Sequence, residues 1–122
     1  MNRRVIAAVS DLFFASKIRG TAQALNVTVD FARSEDALFD SAKTDAPSLV
    51  ILDLQSSTPD PFAVAARLKA DEQLRDVPVV AFFSHVETEL QRRAKEAGIE
   101  HVLPRSVFTK RLAEILTGEV KL

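Results

Sequence analysis

The sequence predicts an α/β domain in which five strands alternate with five helices around a parallel sheet. Three observations carry that prediction. The run Leu49-Val50-Ile51-Leu52 leads into Asp53 without a polar break, between Pro47-Ser48 and a stretch rich in Ser, Thr and Pro. A short apolar run bounded by turn-formers is a strand buried on both faces, and such a strand belongs in the middle of a helix-covered sheet. A second run, Val77-Pro78-Val79-Val80-Ala81-Phe82-Phe83, ends at Ser84. Stretches of helical period separate these runs along the chain, and strands alternating with helices call for right-handed crossovers and parallel pairing.

Taken in order, Val5 to Val9 is an apolar run and reads as the first strand. Ser10 or Asp11 caps a helix over Leu12 to Leu25, with Ala15, Ile18, Ala22 and Leu25 on its inner face. Val27 to Phe31 alternates apolar and polar residues, as a half-buried edge strand does. Ser34-Glu35-Asp36 starts a second helix that runs to Lys43, with Leu38 and Ala42 inward, and Asp45-Ala46-Pro47 stops it. After the Asp53 strand a third helix spans Pro61 to Glu72 with Val64, Ala65 and Leu68 inward, and Pro61 suits its first turn. Beyond the Val77–Phe83 strand a fourth helix covers Val86 to Ala97 and Gly98 terminates it. Glu100 to Leu103 is a short fifth strand. Ser106 caps a last helix to Leu116, with Phe108, Leu112, Ile115 and Leu116 inward.

The strands with the longest apolar runs, the third and fourth, belong at the centre, and the first beside the third. The expected fold is therefore a three-layer, flavodoxin-like (βα)5 domain with sheet order 2-1-3-4-5 and its switch point between strands 1 and 3. The 122 residues suffice for one core. A net charge of −1 gives no general attraction to nucleic acid or anionic membrane. Without cysteine there is no disulfide and no thiolate metal site, and the two histidines are too few for a histidine-rich centre. The apolar run after Arg3-Arg4 is too short for a signal peptide or a membrane span, and a cytoplasmic location is expected.

At the carboxyl ends of the strands, where open α/β sheets bind ligands, this arrangement delivers Ser10 and Asp11, then Asp53, then Ser84 with His85, then Arg105. Two neighbouring carboxylates repel unless a cation intervenes, and Mg²⁺ with its oxygen ligands suits them. A nucleophilic carboxylate with Mg²⁺, a hydroxyl and a cation can hold a phosphoryl group. The chain resembles the receiver domains of two-component response regulators in Asp11, Asp53, Ser84 and the basic Arg105, in that order, over about Val5 to Leu116.

The resemblance implies that Asp53 accepts phosphoryl from a histidine kinase or phosphotransfer protein. It implies that Asp11, Asp53 and a backbone carbonyl near Gln55 hold Mg²⁺, bound weakly here. It implies that Ser84 bonds the phosphoryl group. It also implies a signalling switch rather than an enzyme, read by a downstream protein. The expected organisation is a single receiver-like domain over residues 1–122 with no output domain in the chain. A weak homodimer through Glu87, Glu89, Arg92, Lys95, Lys110 and Arg111 is a further expectation. The chain departs from the family pattern at several points. Ser10 replaces one of two acids, Arg105-Ser106 the usual Lys-Pro, His85 a small residue, and Val102 an aromatic residue of strand 5. Ser57 and Pro61 stand where a proline and a glycine are usual. Those departures keep open a pseudo-receiver that binds partners without phosphorylation.

Local readings also remain open. Asp11 and Ser84 serve equally as helix caps, and Arg105 as a structural partner neutralising Asp53. His101 reads as exposed on a short strand. A cofactor-binding or hydrolytic domain of the same architecture fits less well, because Asp11-Leu12-Phe13-Phe14 takes the place of a glycine-rich phosphate loop.

Overall fold

The computed structural model describes residues 3–84 and 87–119. Five parallel strands, β1 (Arg4–Ala8), β2 (Thr28–Phe31), β3 (Leu49–Asp53), β4 (Val79–Phe83) and β5 (His101–Pro104), form one sheet in the order β2-β1-β3-β4-β5. This is the expected order. The helices are α1 (Leu12–Ala24), α2 (Glu35–Thr44), α3 (Pro61–Ala70), α4 (Thr88–Glu96), α5 (Arg105–Lys110) and α6 (Leu112–Thr117).

The two-residue period of the strands sorts the core into two layers. Ile6, Val50, Leu52 and Ala81 face one side and pack with Leu38 of α2, with Val64 and Leu68 of α3 and with Ala94 of α4. Val5, Leu49, Ile51 and Phe82 face the other side and meet Phe14 and Ile18 of α1, Phe108 of α5 and Leu112 of α6. Within that second layer three rings touch. Phe14 lies 4.8 Å from Phe82 and 5.7 Å from Phe108, and Phe82 lies 4.9 Å from Phe108, centroid to centroid.

Several boundaries and caps differ from expectation for identifiable reasons. Asp11, not Ser10, caps α1, its Oδ1 accepting the Phe14 N–H at 3.1 Å. Leu25 ends outside the helix and 37% exposed, while Phe14 fills the inner face beside Ile18. Asp60 caps α3 with Pro61 at its first turn. The expected last helix is two segments that break at Arg111. Ser106 does not cap it, because Arg105 is already helical and Pro104 precedes it. Gly98 terminates α4 with φ +86°, as expected of a left-handed stop. His101 is half-buried rather than exposed. His85 and Val86 lie outside the described residues.

Candidate functional site

The site is assembled from four strand exits. Asp53 is the last residue of β3 and stands in register with Phe82 of β4. By alternation it continues the row Leu49, Ile51 on the face that carries the three phenylalanines. Its Oδ1 accepts the Gln55 N–H at 2.9 Å, and its own carbonyl accepts the Ser56 N–H at 3.1 Å. These two bonds fold the chain into a tight turn directly after the strand. Burial pushes the Asp53 carboxyl above the ordinary carboxylate range. The Gln55 amide and the Arg105 charge oppose that push, and the Asp11 charge adds to it.

Asp11 shows the opposite shift. The Phe14 amide, then the hydrogen bond from Arg105, hold its carboxyl below the usual range against a smaller effect of burial. The two carboxylates thus have separate environments, one drawn towards the protonated form and one held ionised.

Arg105 does not close on Asp53, as a simple neutralising pair requires. Its Nη2 lies 3.0 Å from Asp11 Oδ2, and its Nη1 donates to Ser84 Oγ at 3.3 Å. The guanidinium carbon stands 4.1 Å over the Phe14 ring. Arginine's planar fork makes such a split contact possible, and a lysine ammonium would not reproduce it. The backbone accounts for the placement: Pro104 ends β5, and Arg105 opens α5 at the same edge of the sheet.

Ser84 follows β4 and is exposed. Its N–H donates to Gln55 Oε1 at 2.6 Å, so the Gln55 side chain ties the loop after β3 to the loop after β4. Asp11, Asp53, Gln55, Ser84 and Arg105 therefore lie at one edge. Arg105 joins Asp11 to Ser84, and Gln55 joins Asp53 to Ser84. Two participants were not foreseen. Phe14 was hidden because Phe13 and Phe14 are adjacent and only the fold decides which turns inward; Phe13 is 90% exposed. The Gln55 side-chain latch carries no sequence signal.

Asp11 and Asp53 are the hard oxygen donors that Mg²⁺ takes, with water filling its remaining positions, so the donor chemistry fits this ion. The charge supporting it is small. Ser10 contributes none, and no three His, Cys, Asp or Glu side chains among the described residues are grouped so that they could hold a metal ion together.

The architecture is that of response-regulator receiver domains, whose fold the chain has. The chemotaxis response regulator CheY4 of Vibrio cholerae superposes with a TM-score of 0.82 at 15% identity, over 98% of this chain and 100% of that one. A phosphorylated cyanobacterial phytochrome response regulator, RcpA, gives 0.78 at 16% identity over 98% and 91%. A response regulator from Burkholderia multivorans gives 0.76 at 20% identity over 100% and 98%. No family model matches the chain, and neither does any curated protein sequence. No helix among the described residues is long and apolar enough to cross a membrane.

Proposed function

We propose that this domain is a two-component receiver that accepts a phosphoryl group on Asp53 and signals by protein contact. The observation that supports it best is the neighbourhood of Asp53. A partly buried carboxylate stands at the end of the central strand, and the Arg105 guanidinium and the Ser84 hydroxyl share that edge. In the step proposed, one Asp53 carboxylate oxygen attacks the phosphorus of a phosphohistidine. The P–N bond breaks, and its electron pair stays on the imidazole nitrogen. The product is an acyl phosphate on Asp53, which carries about one more negative charge than the carboxylate and presents three acceptor oxygens. Arg105 answers two of those oxygens with parallel charge-assisted bonds. Ser84 donates its hydroxyl to the third.

Asp11, Asp53 and the Gln55 carbonyl would hold Mg²⁺, which when bound would screen the charge on the phosphoryl oxygens. The phosphodonor is a histidine kinase or phosphotransfer protein, and the output is a contact with a downstream protein. Homodimerisation through α4, β5 and α5 would be weak and salt-sensitive. Arg92 already pairs with Glu89 and Glu96 on its own helix, which leaves fewer charges to bridge two copies.

The Arg105–Asp11 pair favours a second reading, a pseudo-receiver that binds partners without modification. A time course with acetyl phosphate and Mg²⁺ separates the two. Wild type should gain one acid-labile phosphoryl group per chain, and Asp53→Asn should gain none. An unlabelled wild type would support the pseudo-receiver.

A further inference from the structure

Arg105 sits on the acid that a divalent cation needs. Asp11 Oδ2 is bound to its guanidinium at 3.0 Å, and Asp11 Oδ1 is bound to the Phe14 amide at 3.1 Å. Both oxygens already have a partner. With Ser10 uncharged, Asp11 and Asp53 supply two negative charges at the edge and Arg105 cancels one of them. A cation arriving at Asp11 therefore meets an occupied ligand and a positive neighbour.

We infer that Arg105 and a divalent cation compete for Asp11, so that cation entry releases the guanidinium from Asp11. The inference rests on the reading of Asp53 as a phosphoacceptor for its purpose, but not for its chemistry. Arg105 can leave. Its side chain is one-third exposed, it opens a short helix, and its contact with Ser84 Oγ at 3.3 Å is long. Like charges at close range oppose simultaneous occupation, and the partial burial of the site limits the solvent screening that would weaken the repulsion. The released fork is the group that would meet a phosphoryl on Asp53. The metal would then act twice, by its own charge and by freeing Arg105.

The chain has neither Trp nor Tyr, so intrinsic fluorescence does not report the event. Calorimetric titration with MgCl₂ measures affinity in wild type, Arg105→Gln, Asp11→Asn and the double variant. In parallel, the Arg105 Nε–H resonance of ¹⁵N-labelled wild type follows the guanidinium without any substitution. Removing an exposed ion pair and a neighbouring positive charge should tighten Mg²⁺ binding about tenfold in Arg105→Gln. Asp11→Asn should abolish binding in both backgrounds, and saturating Mg²⁺ should shift the wild-type Arg105 resonance. Equal affinity in wild type and Arg105→Gln, an unmoved resonance, or no binding by any form would overturn the inference. Failure of Asp53 to label with the tenfold ratio intact would refute only the phosphoacceptor reading. Labelling with a ratio of one would refute only the competition.

Discussion

Arg105→Ala removes three contacts at once, and their sum sets a measurable cost. The ion pair with Asp11 has side chains 33% and 39% exposed, so it is worth about 0.2–1 kcal/mol. The guanidinium over Phe14 adds about 0.5–1 kcal/mol at a partly exposed site. The long bond to Ser84 adds little. The expected loss is about 1–2 kcal/mol, which for a domain of this size lowers the melting temperature by roughly 4–8 °C. Arg105→Lys should keep part of the ion pair and lose the stacking, and so fall between the two.

The pH dependence identifies the partner. The Asp11 carboxyl is held below its ordinary value of 3.8 in the folded chain. Its contribution is therefore present above that value and lost as pH falls through the folded pKa. Urea unfolding followed by far-ultraviolet circular dichroism, at neutral pH and in steps below about pH 4, should show the Arg105→Ala penalty shrinking towards its stacking part. High salt should trim the same part at neutral pH. A penalty that is absent at neutral pH, or that does not change on acidification, would refute the reasoning.

Asp53→Asn should stabilise the fold at neutral pH. Burial raises the Asp53 carboxyl above 3.8, so its contribution is full below that value and is lost as pH rises through the folded pKa. The advantage of the Asn variant in urea midpoints should grow across that window and vanish below it; a constant difference would contradict the burial argument. Phe108→Ala, which removes one fully buried ring of the three-ring cluster, should cost about 3–5 kcal/mol and cut the melting temperature by more than 10 °C. A loss under about 1 kcal/mol would mean that the cluster is not packed as described.

The sheet order could be read from the chain because burial on both faces leaves an unmistakable mark. Leu49–Leu52 and Val79–Phe83 have no room for alternation, and the half-buried β2 alternates as an edge strand should. Ser34 and Gly98 acted where their chemistry predicts. What the chain did not reveal depends on three-dimensional choice. Phe13 and Phe14 are equivalent in sequence, and only packing against Phe82 separates them. Arg105 had two carboxylates within reach, and the choice of Asp11 follows from where α5 begins and from the Phe14 ring beneath the fork. The break at Arg111 interrupts a stripe of apolar residues that stays continuous across both segments, so periodicity alone could not show it.

In the proposed function Asp53 becomes an acyl phosphate. Borohydride reduces an acyl phosphate to an alcohol, which would convert a modified Asp53 to homoserine and leave an unmodified carboxylate intact. Wild-type protein treated with acetyl phosphate and Mg²⁺, reduced and digested, should yield the peptide around Leu52–Leu54 with homoserine at position 53, and Asp53→Asn should yield none. Reduction at another acidic residue, or none in the wild type while a known receiver domain reacts alongside it, would contradict the claim.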